Sequence, residues 1–331
     1  MSENQYDLII IGGGPAGYRA AERAAEEGLS TLLFESRALG GVCLNEGCIP
    51  SKTLLYSVKL FDYAKGGEKY GVSCENARID QQTVLRRKNK IVKKLTLGIA
   101  AKLKAGNVAV VRKEAEIVGR TDGGVAVAAD GQQYLAQRLL LATGSMSALP
   151  PIDGLKEALA SGFALTNREV LDLPEIPKAL VVVGGGVIGL EMASYYASAG
   201  SAVTVVEMLE TIGGPIDEEI AGILKKTYEK KGVTFLLGTT AQKFAEGSVT
   251  ISRDGQTQAL PCDKVLVSIG RRPVLPKGAD KLKLNVERGA VVTDEHMLTS
   301  ELNVYAAGDI NGKSMLAHTA YREAEVAVNH M

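Results

Sequence analysis

Tyr6-Asp7-Leu8-Ile9-Ile10-Ile11-Gly12-Gly13-Gly14-Pro15-Ala16-Gly17 decides the fold of this 331-residue chain. Residues 6–11 are an apolar, β-rich run of strand length, and Gly12, Gly14 and Gly17 lead into an Ala-rich helical stretch that reaches Glu27. In a strand–turn–helix of this kind the first glycine makes the tight turn, the second lets a pyrophosphate approach the backbone, and the third lets helix and strand pack closely. The free N–H groups and the positive dipole end of the helix then face the anion. After a turn at Gly28, a second apolar run from Ser30 closes at Glu35, where a carboxylate can accept a hydrogen bond from a ribose hydroxyl.

The unit recurs downstream. Ala179 to Val183 leads to Gly184, Gly186 and Gly189, then a helical stretch through Ala199, a turn at Gly200, and Ala202 to Glu207. Glu35 and Glu207 each lie 23 positions after their first glycine. A lone glycine pattern is weak evidence, but each copy here has a strand before it, a helix after it and an acid closing the second strand. Two dinucleotide-binding βαβ units therefore stand in tandem. A glutamate at either ribose position repels a 2′-phosphate, so the second site favours NAD over NADP.

Between the units, Ser51 to Lys65 and Ile79 to Leu103 read as helices. Val108 to Val118 and Val125 to Ala129 alternate like strands, with turns at Asp122-Gly123-Gly124 and Asp130-Gly131. The apolar run before Ala142-Thr143-Gly144 reads as a strand returning to the first core. Pro150 and Pro151 mark a boundary, because neither continues a helix or an inner strand. A last segment begins near Arg271-Arg272-Pro273 and ends in Val304 to Ala307, Gly308-Asp309, and a helix from about Met315.

With 46% hydrophobic and 23% charged residues the chain can bury sizeable cores. Lys plus Arg and Asp plus Glu number 38 each, so no global field recruits nucleic acid or anionic lipid. The one basic cluster, Arg86 to Lys94, reads as a solvated helix face, leaving Val84, Leu85, Ile91, Val92, Leu95 and Leu97 for burial. No apolar run approaches the ~20 residues that span a bilayer. The N-terminus reaches a strand without signal or transit features, which predicts a cytoplasmic location or a compartment reached after cleavage. Four cysteines are too few for a disulfide scaffold, so any disulfide is expected to be catalytic. No metal site is expected.

Cys43-Leu44-Asn45-Glu46-Gly47-Cys48 carries that expectation. Taken alone, such a pair is usually two buried thiols; after a dinucleotide turn and before a helix it reads as a redox pair. Five residues along an unbroken helix separate Cα atoms by roughly 8–9 Å, beyond the ~7 Å reach of a disulfide, so bonding needs a distorted turn. Gly47 relaxes the backbone there, and Pro50 suits the first position of a helix starting just afterwards. That helix end favours a thiolate at Cys48, and Lys52, four residues on, adds positive charge on the same face. Cys74 and Cys262 have no comparable setting and read as inert. Asp309 can hold a ligand hydroxyl beside the small Ala306 and Ala307, or form a surface Asx turn.

Together these residues resemble the flavoprotein disulfide reductases, within them the branch that oxidises protein-bound dihydrolipoamide. The likeness runs from Tyr6 to the end of the chain and is most specific at Gly40 to Lys52, GGVCLNEGCIPSK. It implies an α/β fold of two tandem Rossmann-like FAD/NAD(P)-binding domains with three-layer ββα architecture. Residues 1–149 and 276–331 would form the FAD domain and 150–275 the NAD domain. Cys43 would be the interchange thiol and Cys48 the charge-transfer thiol against the flavin. Lys52 would lie near flavin N5 and pair with Glu191. The resemblance assigns FAD to Gly12, Gly14, Pro15, Ala16, Gly17, Glu35, Ser36, Gly41, Val42, Cys43, Cys48, Lys52, Ala115, Thr143, Gly144, Ser145, Gly308, Asp309, Met315, Leu316, Ala317 and His318. NAD falls to Gly184, Gly186, Val187, Ile188, Gly189, Glu191, Glu207, Gly270 and Arg271.

Members of that family also carry a C-terminal dimerisation domain of about a hundred residues or more, which supplies a His–Glu pair to the partner's disulfide. It is expected to be absent here. His296, His318 and His330 do not replace the pair, His318 being read as packing on the flavin and Glu323 as solvated. The implied partner is the lipoyl group of an acyltransferase or related lipoyl-carrying protein. The chain would be monomeric or weakly associating, active with artificial electron acceptors and impaired in lipoamide turnover. Alternatives are a flavin-bearing but redox-silent assembly subunit, for which the cysteine pair has no use, and another NAD-dependent disulfide reductase.

Overall fold

The computed structural model describes residues 4–331. They form two compact units interleaved along the chain: one takes the chain up to Asn45, Ile91–Met146 and Arg271–Met331, the other Glu46–Lys90 and Ser147–Gly270. Among the described residues the eight α-helices are α1 Pro15–Glu26, α2 Gly41–Glu46, α3 Cys48–Lys65, α4 Gln81–Ala105, α5 Leu155–Ala160, α6 Val187–Ala199, α7 Glu218–Glu229 and α8 Ala317–His330.

The first unit is built on a seven-stranded sheet. Its strands β1 Gln5–Ile11, β2 Thr31–Phe34, β3 Ala109–Val111, β4 Glu116–Thr121, β5 Gly124–Ala129 and β6 Gln132–Leu141 lie in the order β3-β2-β1-β6-β5-β4. β3, β2, β1 and β6 are parallel neighbours, as a crossover helix requires, while β4, β5 and β6 form an antiparallel meander. The strand Val304–Ala306 pairs in parallel with Leu139, Leu140 and Leu141 at the far end of β6. Apolar residues fill both faces of this sheet. Leu8 and Ile10 of β1 join Ala20 and Ala24 of α1 and Ala324 and Ala327 of α8 in one core. Ile9 and Ile11 join Val125 and Val127 of the meander in the other. This explains why β1 reads as a continuous apolar run and not an alternating one. The result is helix, parallel sheet and meander in three layers.

The second unit repeats the plan. Its parallel sheet runs Thr234–Leu236, Ala202–Val206, Ala179–Val183, Lys264–Val267, Ala164–Leu165, beside an antiparallel sheet of Thr240–Ala245, Ser248–Arg253 and Gln256–Pro261. Leu180 and Val182 face a core with α6 and α3; Val181 and Val183 face α5 and the antiparallel sheet. The α/β class and tandem arrangement expected from the glycine patterns are thus present.

Residues 46–90 group with this second unit, which nothing local in the sequence announces. Leu54 and Val58 of α3 pack beside Met192 and Tyr196 of α6. The Gln81 side-chain amide donates to Leu173 O at 2.8 Å, and buried Lys88 donates to Leu171 O at 3.0 Å and pairs with Asp172. In α4 the predicted burial holds for Val84 and Leu85 and partly for Ile91 and Val92, but fails for Leu95 and Leu97, the latter 60% exposed. Neither belongs to a core, which α4 meets at Val84 and Leu85 in its first turns and at Leu103 in its last. Among the described residues no helix is long and apolar enough to cross a membrane.

Candidate functional site

The two glycine turns are built alike. A Cβ on Gly12 would lie 2.2 Å from Ala142 O, and one on Gly17 only 1.7 Å from Gly12 O. A Cβ on Gly184 would lie 2.5 Å from Ser268 O, and one on Gly189 2.2 Å from Gly184 O. The intervening glycine differs in both copies: a Cβ on Gly14 meets only Gly41 Cα at 3.7 Å, and one on Gly186 meets nothing within 4 Å. The outer glycines therefore serve packing, whereas Gly14 and Gly186 border open space. They are the N-caps of α1 and α6, which carry no side-chain cap and no acid in the first turn among the described residues. By contrast α7 is capped by Asp217, which accepts from Glu219 N–H and Ile220 N–H. Bare helix ends with unobstructed backbone fit the pyrophosphate of a dinucleotide.

The acids complete each turn. Glu35 accepts from Gly13 N–H at 2.8 Å through one carboxylate oxygen and from Arg37 N–H at 2.6 Å through the other. Glu207 repeats this with Gly185 N–H at 2.6 Å and Leu209 N–H at 2.9 Å. Charge-assisted bonds of this length hold each carboxylate at the end of its strand, ready for a ribose hydroxyl. The sequence reading passed over Gly13 and Gly185, the middle members of their triplets. The signal was the unbroken Gly-Gly-Gly, since a Cβ at either would stand 3.0–3.2 Å from the glutamate oxygen.

The cysteine segment starts against the first turn. Gly40 N–H donates to Gly13 O at 2.8 Å, and a Cβ on Gly41 would lie 2.6 Å from Gly14 Cα. The Asn45 side-chain amide ties α2 down by donating to Gly41 O at 2.9 Å and Leu39 O at 3.1 Å. Cys43 and Cys48 are disulfide-bonded and partly buried. Gly47, with φ −147° and ψ −111°, breaks the helical path between α2 and α3 as the bonding distance demands. Contrary to expectation, α3 begins at Cys48 and not after Pro50. The first backbone bond of α3 runs from Ser51 N–H to Gly47 O at 3.0 Å, so Pro50 sits in the first turn, where no N–H is needed.

Within the second unit, Lys52 Nζ lies 2.7 Å from Glu191 Oε1, joining α3 to the first turns of α6. Val187 is exposed and Ile188 partly buried beside Gly186. Of the two free thiols, Cys74 is exposed and Cys262 buried. Burial pushes the Cys262 thiol up to about 11, with Asp263 adding to the shift, which keeps it protonated and unreactive.

A third constellation gathers in the first unit around Asp309. Arg271 donates from Nε to Ser145 Oγ at 2.8 Å and from Nη2 to Ser145 O at 2.7 Å. A guanidinium has no acceptor, so the one Ser145 proton is directed to Asp309 Oδ2, with which it bonds. Arg271, expected at the nicotinamide site, thus braces the chain beside Asp309. Thr143 donates to Val274 O, and Ala115 is buried. Met315 and Ala317 are partly buried, Leu316 exposed, and Gly270 and Ser36 lie at the surface.

His318 is exposed. One expectation about α8 needs correction. Glu323 is not solvated but 6% exposed, and accepts from Gly308 N–H at 2.7 Å and Asn311 Nδ2 at 2.9 Å. Burial pushes its carboxyl above the ordinary value, against the lowering effect of those bonds. The signal was in the sequence: Ala320, Ala324 and Ala327 form the buried stripe of α8, and Glu323 falls on it at helical spacing. The remaining histidines are engaged elsewhere, His330 lying 3.1 Å from the Tyr305 hydroxyl and stacking on His296 at 4.3 Å.

Comparison with known proteins agrees with this geometry. The family described as pyridine nucleotide-disulphide oxidoreductase matches residues 6–324. A dihydrolipoyl dehydrogenase of Acholeplasma laidlawii is 39% identical over 328 residues, 99% of this chain and 96% of that one. One from Mycoplasma pneumoniae is also 39% identical, over 98% of this chain and 71% of its own. Among solved structures, the HOCl-induced flavoprotein disulfide reductase RclA from Escherichia coli superposes with a TM-score of 0.85 at 26% identity, over 98% of this chain and 71% of that one. The chain belongs to the pyridine nucleotide-disulphide oxidoreductase family and is an oxidoreductase of the FAD- and NAD-using, disulfide-bearing kind.

Proposed function

We propose that the chain oxidises the dihydrolipoyl group of a lipoyl-carrying protein and delivers the electrons to NAD. The observation that carries this is the disulfide-bonded Cys43 and Cys48 on a segment docked against the first glycine turn. Bound FAD and NAD supply the hydride and electron chemistry. The protein's part is thiol exchange and positioning. A dihydrolipoyl thiolate attacks Cys43 Sγ, the Cys43–Cys48 bond breaks and Cys48 leaves as thiolate; the second dihydrolipoyl thiol then displaces Cys43 and closes the lipoyl disulfide. Overall the dithiol loses two electrons and two protons, which would leave as one hydride to NAD and one released proton. The α3 N-terminus stabilises the Cys48 thiolate, and Lys52, held by Glu191, adds its charge. Glu207 favours the unphosphorylated ribose of NAD.

The first exchange needs a general base to deprotonate the incoming dithiol. His330 is bonded to Tyr305, His296 stacks on it, and His318 opens α8. The 331-residue polypeptide accordingly passes electrons from NADH to artificial acceptors faster than it turns over dihydrolipoamide. Anaerobic titration with NADH tests the core of the reading. Loss of flavin absorbance with growth of a long-wavelength band, absent in Cys48→Ser, is expected. A colourless protein that takes up no flavin would refute the proposal, and a flavin that NADH leaves oxidised would favour a redox-silent assembly role.

A further inference from the structure

We propose that Glu323 is the positioning residue of the flavin site: its carboxylate grips the Gly308 N–H and the Asn311 side chain, so that the turn between them presents Asp309 to the ribityl chain. The inference rests on the reading of Asp309 as a flavin contact, and adds to it a residue that never touches the ligand.

The turn is one that a chain does not hold unaided. Gly308 has φ +80° and ψ −160°, a conformation open in practice to glycine alone. Asp309 follows as the first residue of a single 3₁₀ turn ending at Asn311. Both donors bracketing that turn, Gly308 N–H and Asn311 Nδ2, converge on the same oxygen of Glu323, at 2.7 and 2.9 Å. Asn311 passes the constraint on, accepting from Lys313 N–H at 3.0 Å through its own side-chain oxygen. The other side of the turn is close to helix ends: a Cβ on Gly308 would lie 3.2 Å from Ala16 Cβ in the first turn of α1 and 3.4 Å from Ala320 Cβ of α8. Glu323 therefore fixes the turn over the N-terminus that receives the pyrophosphate.

Asp309 itself is oriented from the opposite direction. Its Oδ2 takes the Ser145 proton, which Arg271 has directed there, while Oδ1 accepts nothing from the described residues. The carboxylate thus offers one oxygen to a ligand hydroxyl. Backbone from Glu323 and side chain from Ser145 together define where that oxygen points. Burial of a carboxyl is costly unless it is bonded, and here, on the buried stripe it shares with Ala320, Ala324, Ala327 and Val328, the bonds from Gly308 and Asn311 offset that cost.

A double-mutant cycle on the full chain tests this, reading the dissociation constant of FAD from apoprotein by flavin fluorescence. Glu323→Ala in the wild-type background is expected to weaken FAD by about tenfold or more, the scale of losing hydrogen bonds that hold a contact group. In the Asp309→Ala background the same substitution is expected to change affinity less than about twofold, because residues acting through one another are non-additive. Glu323→Gln keeps a carbonyl oxygen for both donors and is expected to restore affinity. Amide hydrogen exchange at 308–311 in the apoprotein is expected to rise in Glu323→Ala and not in Glu323→Gln. If Glu323→Ala yields no soluble protein, Glu323→Asp, one methylene shorter, runs the same cycle. Equal losses in both backgrounds, or no loss in either, would overturn the proposal, as would a glutamine variant as weak as alanine. Should Asp309→Ala alone leave FAD affinity intact, the flavin contact fails and not merely its support.

Discussion

Glycines that look equivalent in the sequence divide by what stands opposite their missing side chains. Gly17 and Gly189 face backbone oxygens at contact distances no Cβ tolerates, while Gly14 and Gly186 face open space and hold ordinary extended backbone. Alanine at 17 or 189 is therefore expected to destabilise the apoprotein by about 1–3 kcal/mol or prevent folding. Alanine at 14 or 186 is expected to leave its melting temperature unchanged or slightly raised, since Gly→Ala at a compatible site costs the unfolded chain entropy. The same two variants are expected to lose affinity for FAD and NADH respectively, by a factor of about ten or more, because the added methyl occupies the pyrophosphate approach. Thermal unfolding of apoprotein set beside dinucleotide titration checks both halves. At this scale Glu35 and Glu207 were legible from spacing. Glu323 was not read, because a charged side chain was assigned to solvent although its neighbours on α8 are buried.

Helices bring together the charges assigned to the proposed chemistry. Lys52 on α3 and Glu191 on α6 meet at 2.7 Å, and Lys52 is 61% exposed. A half-exposed pair of this kind contributes less than about 1 kcal/mol, so Glu191→Gln is expected to leave the melting temperature nearly unchanged. Its expected effect lies in turnover with NADH and an artificial acceptor, lowered by about tenfold, which corresponds to about 1.4 kcal/mol of barrier. Equal losses of stability and turnover would instead mark the pair as structural. The start of α3 shows why element boundaries resist sequence reading. Proline is accepted anywhere in a first turn, so Pro50 was compatible with a helix beginning at either Cys48 or Pro50. Gly47 and the disulfide decide for Cys48. Likewise the apolar residues of α4 follow helical spacing throughout, yet Leu95 and Leu97 stay exposed, because burial depends on a neighbour that periodicity does not supply.

Each compact unit is assembled from stretches of chain far apart in sequence, and the first needs three. The segments carrying Gly14, Ser145 and Asp309 come from all three, so a dinucleotide spanning them ties distant stretches together. Removing FAD is therefore expected to lower the melting temperature, and restoring free FAD at about a hundred times its dissociation constant to return about 2.7 kcal/mol. Calorimetry at graded FAD concentrations checks this, a melting temperature independent of FAD being the contrary result. The sequence by itself determined the two glycine turns, the acids that close them and the cysteine pair, because each is written within a few dozen consecutive residues and obeys strand and helix geometry. Only the tertiary structure decided that Arg271, Ser145 and Asp309 form one hydrogen-bonded cluster, that Glu323 holds the turn beside it through Gly308 and Asn311, and that 46–90 joins the second unit. Those outcomes depend on which buried donors and acceptors meet after the chain has folded back on itself, and no local spacing encodes them.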